Sequence, residues 1–198
     1  MAGNTQDEIA QKLGVSRQSV QRMVSLVGNI LLGGSASAYD VVVRMVDRVN
    51  ARHFPMTDPV LSRSAEDKEI LQKQEHVSNI LELASQADVT FVGIGDVVRH
   101  SLLYVDGFIT FHELNALEEA GVAGEIISWV YNADGKLVDG VINDRVTSVP
   151  IIADSEKPVF GVAVGDSKVS AIIGALRGKL INSFITNERT AELVLSQS

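Results

Sequence analysis

The chain contains no cysteine, which excludes disulfide bonds and thiolate chemistry. Its four histidines are scattered without metal-ligand spacing, so we expect no zinc site. No apolar run reaches the roughly 20 residues that a membrane-spanning helix needs, and the N-terminus has no signal-peptide hydrophobic region. We therefore expect a cytoplasmic protein without a membrane segment.

Motifs of the common enzyme classes are also missing. The chain has neither a G-x-S-x-G nucleophile elbow nor a G-x-x-x-x-G-K-[ST] phosphate loop. Carboxylate pairs such as Glu118 and Glu119 are typical of a solvated helix face. The sequence gives no reason to expect an enzyme or a cofactor.

The composition is that of a globular protein with an uneven distribution of charge. Of the 198 residues, 45% are hydrophobic and 21% are charged, and the formal net charge is -8, so a core can form. Residues 11–24 nevertheless contain Lys12, Arg17 and Arg22 and no acid. An acidic protein with one basic helix suits contact with DNA at one end, but it equally suits a protein that never contacts DNA.

The first 24 residues have the spacing of a DNA-binding helix-turn-helix. Thr5 and Glu8 form a capping box at the start of the first helix, and Gly14 is suited to end it. The second helix is predicted to begin at Ser16 and to extend to Val24, with Val20, Met23 and Val24 facing inward. In this geometry the second helix enters the major groove, and the residues predicted to contact DNA are Ser16, Arg17, Gln18, Ser19 and Gln21. An ordinary helical hairpin has the same spacing.

Beyond residue 26 the pattern alternates between strands and helices. A Thr110–Glu113 capping box predicts a helix that ends at Gly121, and Asn132 to Gly135 predict a hairpin turn between residues 126–131 and 137–142. Other predicted strands are residues 27–32, 87–94, 157–164 and 182–185. Other predicted helices are residues 38–50, 65–86 as one helix or two, 167–177 and 188–195. This alternation predicts an α/β fold with a mainly parallel sheet covered on both faces.

Ligands of such sheets bind where the carboxyl ends of the strands meet loops and helix N-termini. Residues 165–168 place Lys168 in the first turn of a helix, where a phosphate would use the free backbone donors. Residues 93–96 end the clearest strand and are followed by Arg99 and His100. Asn143, Asp144 and Arg145 are suited to hold sugar hydroxyls. The structural alternatives are a solvated lysine, a tight turn and an internal Asp–Arg pair.

Several separate motifs occur in the order found in one family. They are QDEIAQKLGVSRQSVQRM, ADVTFVGIGD, SLLYVDGFIT, GVAGEIISWVYNADGKLVD, NDRV and GVAVGDSKVSAIIGALRGKLINSFITNERTAELVL. Together they resemble the SorC family of bacterial sugar-responsive regulators, and GGSASAYDVVVR is similar to regulators of sorbitol or related polyol operons. The resemblance implies a Rossmann-like effector domain, similar to sugar-phosphate isomerases and CoA-transferases, that has lost catalysis. It also implies a homo-oligomer.

The resemblance assigns roles to particular residues. Lys168 matches the family lysine near the effector phosphate, and Glu125 matches a position that contacts the sugar. Arg99 approximately matches a family arginine. Asn143 and Arg145 match a family signature that is structural or ligand-binding.

The chain also departs from the family pattern. It lacks the helix before the helix-turn-helix, the wing after it, and the first effector-domain strand with its phosphate loop. We therefore predict a partial DNA-binding segment at residues 1–25 and a shortened sugar-binding domain at residues 26–198, joined at an internal deletion near residues 25–27.

The leading hypothesis is a transcriptional regulator of a sugar or polyol operon. It would bind DNA through residues 1–25, and its effector would be a sugar, a polyol or a sugar phosphate. The alternatives are a carbohydrate-binding fragment that does not bind DNA and a sugar-phosphate isomerase or deaminase-like enzyme.

Overall fold

The computed structural model describes residue 11 and residues 22–28 and 41–197. Within these residues the chain forms short strands that alternate with helices. The strands are β1 (Arg22–Val24), β2 (Arg52–Phe54), β3 (Thr90–Gly93), β4 (Val122–Ile126), β5 (Trp129–Asn132), β6 (Val159–Val162) and β7 (Ser183–Ile185). The helices are α1 (Val41–Val49), α2 (Ala65–Gln72), α3 (Glu75–Ser85), α4 (Leu102–Val105), α5 (Phe111–Glu119), α6 (Val169–Arg177) and α7 (Glu188–Gln197).

The parallel strands form two sheets. Strands β3, β6 and β7 lie side by side in that order, with Val92 opposite Gly161 and Gly161 opposite Phe184. Strands β1 and β2 form a separate parallel pair, in which Met23 lies opposite His53. Parallel strands joined through helices confirm the predicted α/β fold.

The first strand corrects the helix-turn-helix prediction at its C-terminal end. Met23 and Val24 belong to β1 rather than to a helix, and the Ser25 backbone N–H continues the ladder by donating to the Phe54 carbonyl at 3.0 Å. Ser25 Oγ also lies 2.8 Å from Nε2 of His53. The tertiary partner β2 therefore outweighs local helix preference at these residues.

Three other predictions near the N-terminus have different outcomes. The strand predicted over residues 27–32 is wrong at Val27 and Gly28, and its remaining residues lie outside the described part. Gly28 passes so close to Asp58 that a Cβ there would lie 1.8 Å from the Asp58 carbonyl oxygen. The predicted helix 38–50 is confirmed over Val41–Val49, and the stretch 65–86 forms two helices.

The Thr110–Glu113 capping box is confirmed in full. The Thr110 hydroxyl accepts a hydrogen bond from the Glu113 N–H at 3.2 Å, and the Glu113 carboxylate accepts one from the Thr110 N–H at 2.7 Å. Helix α5 ends at Glu119, and Gly121 then adopts a φ of 71°, the left-handed conformation that glycine takes at little cost. Local sequence signals therefore define both ends of this helix.

The hairpin prediction is partly wrong. A tight turn at Ile127 and Ser128, with φ values of 45° and 74°, separates β4 from β5 and so divides the strand predicted over residues 126–131. Positive φ at both central residues is the geometry of a type I′ turn. The predicted reversal at residues 132–135 is also present, because Asn132 N–H donates to the Lys136 carbonyl at 3.0 Å and Tyr131 forms a bridge with Leu137.

One face of the parallel sheet packs on the principal core. Helix α6 buries most of its side chains against this face, and Val92, Ile94 and Ala163 contribute from the sheet. Complete burial of each large aliphatic side chain contributes about 1.5–3 kcal/mol. A second core cluster joins α5 to β5 through Leu114, Leu117, Val130, Ile142 and Val146.

The opposite face of the sheet carries exposed apolar side chains among the described residues. Phe91 stacks on Phe160 with ring centroids 5.1 Å apart, yet Phe91 remains 42% exposed. Val162 and Ile185 on the neighbouring strands are exposed as well.

Among the described helices, none is long and apolar enough to cross a membrane.

Candidate functional site

The candidate site lies where strand β3 ends and the hairpin strand β4 approaches it. Gly95 and Glu125 exchange two backbone hydrogen bonds of 2.9 Å, which fix β4 to the carboxyl end of β3. A Cβ on Gly95 would lie 2.1 Å from Oε1 of Glu125. The absence of a side chain at residue 95 therefore allows the Glu125 carboxyl to lie against the backbone.

Lys168 reaches the same place from the end of strand β6. A 3-10 turn over Asp166–Lys168 precedes α6, and the Lys168 ammonium donates to the Ile94 carbonyl at 2.9 Å. Residues 165–168 and residues 93–96, the two segments predicted to bind a ligand, therefore meet. The carboxyl ends of adjacent parallel strands lie side by side. An ammonium has three donors, and among the described residues the Ile94 carbonyl is the one group that accepts from it.

The Glu125 carboxyl is partly buried beside this ammonium. Its Oε2 accepts a hydrogen bond from the Ser128 N–H at 2.8 Å. Burial raises the pKa of Glu125; the Ser128 N–H and the charge of Lys168 oppose the shift, while the charge of Asp96 adds to it. Glu125 therefore holds a proton to a higher pH than an exposed glutamate, and the protonated form donates as well as accepts hydrogen bonds.

Asp96 is a site residue that the sequence reasoning did not assign a role. Its side chain is only 13% exposed and lies 4.0 Å from Nε2 of His100. It directly follows Gly95, so its position at the end of the clearest predicted strand was the available signal. Together, Lys168, Glu125, Asp96 and Gly95 form what we call the cleft cluster.

The other predicted effector residues make contacts elsewhere in the protein. The Arg99 guanidinium lies 4.9 Å from the centroid of the Phe111 ring on α5. Arg145 forms an ion pair with Glu113 and does not pair with its neighbour Asp144. The suggested Asp–Arg pair is therefore replaced by a pair between a second 3-10 turn, Asn143–Arg145, and the start of α5, because folding places a capping glutamate there.

The side-chain amide of Asn143 forms hydrogen bonds with backbone groups. It is 4% exposed, and its amide accepts from Val130 N–H at 2.9 Å and donates to the Val130 and Val138 carbonyls at 2.8 and 2.7 Å. These bonds join the 3-10 turn to β5 and to the segment that follows. The side chain accordingly holds the hairpin region together, and its role toward an effector stays a prediction.

A separate surface groove of about 380 Å³ lies between α2 and β5. The Lys68 ammonium lies 4.7 Å from the centroid of the Trp129 ring and 3.4 Å from the Asn143 carbonyl oxygen. Burial lowers the pKa of Lys68, and the charge of Asp144 opposes this shift. The groove thus has its own cation, already stacked on the aromatic ring.

The predicted DNA-contacting residues lie outside the described residues. They are Ser16, Arg17, Gln18, Ser19 and Gln21. Gln11, in the first predicted helix, is helical. The role of the five predicted residues in binding DNA stays a prediction.

The chemistry of the cleft cluster is that of a hydrogen-bonding site. It combines an ammonium, two carboxyl groups and the backbone N–H of Ser128 near the carboxyl ends of strands β3 and β6. The described part of the chain has no group of three or more His, Cys, Asp or Glu side chains placed to hold a metal ion. Such donors and acceptors match the hydroxyl groups of a carbohydrate.

Comparison with known proteins identifies related sequences. The family model of the sugar-binding domain matches residues 1–196. The sorbitol operon regulator of Klebsiella pneumoniae is 32% identical over 159 residues, which cover 79% of this chain and 49% of that protein. The erythritol catabolism regulatory protein EryD of Brucella abortus is 28% identical over 176 residues, covering 89% of this chain and 56% of that protein. The chain thus spans about half the length of these relatives.

Solved structures of similar proteins share the fold. The full-length sorbitol operon regulator SorC from Klebsiella pneumoniae superposes with a TM-score of 0.76 at 28% identity, over 88% of this chain and 57% of that one. A DeoR family transcriptional regulator from Listeria monocytogenes gives a TM-score of 0.78 at 25% identity, over 87% of this chain and 68% of that one. The chain belongs to the sugar-binding domain family of SorC-type transcriptional regulators.

Proposed function

We propose that this chain is the effector-binding part of a bacterial regulator of a sugar or polyol operon and that residues 1–25 contribute contacts to DNA. The observation that carries the proposal is the cleft cluster, in which Lys168, Glu125 and Asp96 converge at the carboxyl end of the sheet. The sugar-operon regulators among its relatives support the same role. The effector is a sugar, a polyol or a sugar phosphate.

The remaining parts of the proposal follow from this role. A regulator acts where its DNA is, so we place the protein in the bacterial cytoplasm. We propose a homo-oligomer, which the resemblance to SorC-type regulators implies. We also propose that it is not an enzyme, a reading supported by its relatives, which are named as transcriptional regulators.

One binding experiment tests both halves of the proposal. DNA that the protein retains is selected from a random-sequence duplex library, and its affinity is measured by fluorescence anisotropy with and without a panel of sugars, polyols and sugar phosphates. We expect salt-dependent DNA binding that changes at least several-fold with one member of the panel. The double variant Arg17→Ala/Gln18→Ala should lose DNA binding, whereas Arg177→Ala, an exposed arginine at the end of α6, should retain it.

The effector half has its own variants and controls. Lys168→Met and Glu125→Gln should still bind the selected DNA but lose the response to the effector. Lys136→Met, which removes an exposed lysine in the turn after β5, should keep that response. Failure to select any duplex would contradict the DNA half and favour a carbohydrate-binding fragment. An unchanged response in Lys168→Met would contradict the effector site.

A further inference from the structure

Strand β3 has an open edge within the described part of the chain. The N–H groups of Thr90 and Ile94 donate to carbonyls on the β6 side at 2.9 and 3.2 Å. Backbone groups of successive residues point to opposite sides of a strand, so Phe91 and Gly93 direct their N–H and carbonyl groups away from β6. No described residue forms a backbone hydrogen bond with them there.

Strand β1 has an open edge of the same kind. The Ser25 N–H donates to β2, so Val24 and Leu26 direct their backbone groups to the other side. The Leu26 carbonyl accepts from the Val149 N–H at 2.8 Å, whereas Val24 has no backbone partner on that side among the described residues. The edge of β1 is therefore closed only at its carboxyl end.

One region closes both edges at their carboxyl ends. On β3 the next residue in the alternation is Gly95, which pairs with Glu125. On β1 the closing residue is Val149, and the hydroxyl of its neighbour Ser148 donates to the Ile127 carbonyl at 2.6 Å. Because the two closing segments contact each other directly, β1 and β3 point the same way with their open edges toward a shared gap. We call this gap the strand slot.

The surroundings of the strand slot match an extended apolar segment. Its walls present backbone donors and acceptors at strand spacing, which another extended backbone satisfies. Leu26 and Ile127 pack against the principal core, and Phe91 lies exposed on the other face of the sheet. Side chains of an inserted strand thus meet apolar groups on both faces, as those of central strands in parallel sheets do. Strand β3 also has none of the charges, prolines or bulges that protect an edge strand.

We infer that the strand slot binds an apolar strand supplied by another protein chain, which would join the two parallel sheets of this protein into one. The inserted strand is about as long as β3, which has four residues. Its backbone pairs with Val24 on one side and with Phe91 and Gly93 on the other, and branched apolar side chains fill both faces. This surface is separate from the cleft cluster and does not depend on the effector.

Peptide binding to the full chain tests the inference by fluorescence anisotropy. The probe is a labelled peptide of five valine and isoleucine residues between paired lysines. One N-methylated version lacks the N–H groups of the first, third and fifth of these residues, and a second version lacks those of the second and fourth. The slot uses both sets, one on each wall, so each version should bind about tenfold or more weakly. A single open edge needs only one set, so equal binding of all three peptides overturns the inference.

Gly93 provides the variants on the protein side. Gly93→Pro removes the N–H that faces the slot and leaves the hydrogen bonds to β6 in place, because proline is tolerated where a strand N–H is unpaired. Gly93→Ala keeps this N–H and should bind the probe about tenfold or more tightly than Gly93→Pro. Lys136→Met, remote on the exposed turn after β5, should keep the affinity of the natural protein. Undiminished binding by Gly93→Pro contradicts the inference.

Amide hydrogen exchange followed by NMR checks the slot in the unaltered protein. The N–H groups of Phe91 and Gly93 should exchange rapidly in the free protein and become protected when the probe is added. The N–H of Val92, which faces β6, should be protected in both states. Protection of Phe91 and Gly93 before any peptide is added would show that the chain fills the slot itself. That result, or failure of the probe to bind, overturns the inference and leaves the proposed function standing.

Discussion

At the scale of single residues, the side chains predicted for ligand binding divide into those that meet at the sheet edge and those that hold the fold. Lys168 and Glu125 meet, although they are far apart in the sequence, because strand ends and the hairpin converge there. Asn143 has the opposite character, since its amide bonds are made entirely with Val130 and Val138. A polar residue in a short motif is thus not by itself a ligand contact.

The first prediction concerns Asn143. Asn143→Ala leaves one buried N–H and two carbonyls of the hairpin region without their side-chain partner, and we expect the free energy of unfolding to fall by about 3 kcal/mol. Urea denaturation followed by circular dichroism measures the change. Asp144→Ala, at the exposed next residue, is the control and should alter stability by less than about 0.5 kcal/mol. Equal effects of the two substitutions would contradict a structural role for the Asn143 amide.

At the scale of elements, helix α5 links local capping to a long-range ion pair. Glu113 caps its own helix and also contacts Arg145 of the 3-10 turn. Burial alone would raise the pKa of Glu113, but the hydrogen bonds from Thr110 and the nearby charge of Arg145 together lower it. The folded protein therefore keeps Glu113 ionised to a lower pH than the unfolded chain does.

This shift predicts the pH dependence of one variant. A lowered carboxyl pKa contributes stability that is complete above the ordinary glutamate value of about 4.3 and is lost as the pH falls below it. Glu113→Gln keeps the capping geometry and removes the charge, so it should be less stable than the natural protein by about 1 kcal/mol at neutral pH. The difference should vanish in acid. Denaturation curves at several pH values measure it, with Glu118→Gln on the exposed face of the same helix as the control. A difference that persists unchanged in acid would refute the assignment.

Sequence signals identify elements best where their causes are local. The capping box and Gly121 define α5 without reference to the rest of the chain. The β4–β5 turn carries no Asn-Gly signal, since Ile127 and Ser128 adopt positive φ against their own preference, and the strand was predicted to continue through it. The sequence alone also suggests an ion pair between Arg145 and its neighbour Asp144. The actual partner of Arg145 is Glu113, which lies close to it only in the folded chain. Lys168 and residues 93–96 could be related from sequence, because the rule for parallel strand ends is general.

At the scale of the whole molecule, the hairpin and helix α6 are packed through a backbone contact. A Cβ on Gly124 would lie 2.5 Å from the Cβ of Ala171, and Tyr131 reaches across to donate its hydroxyl to the Ala171 carbonyl at 3.0 Å. Burial of this phenol raises the pKa of Tyr131, with the nearby charge of Glu125 adding to the effect. The tyrosine therefore remains neutral and keeps its hydrogen bond.

The close packing makes residue 124 intolerant of any side chain. Gly124→Ala forces the hairpin away from α6, and we expect a loss of about 2 kcal/mol in the free energy of unfolding. Gly93→Ala is the matched control, since a Cβ there meets no atom of the described residues within 4 Å and its φ is not in the left-handed region. It should change stability by less than about 0.5 kcal/mol. Thermal denaturation of the two variants decides the matter, and a Gly124→Ala protein as stable as Gly93→Ala would show that the two elements are not closely packed.

The Gly95–Glu125 bridge has a topological consequence. After β3 the chain leaves the parallel sheet and forms α4, α5 and most of β4. It returns to the end of β3 at Glu125, which exchanges two backbone hydrogen bonds with Gly95. Residues 96–124 are thus a closed loop with a narrow neck, and the cleft cluster lies at that neck. In the proposed function, a small molecule bound at this neck contacts both ends of the loop. We therefore expect its binding to lower the conformational entropy of the loop by holding the two ends together.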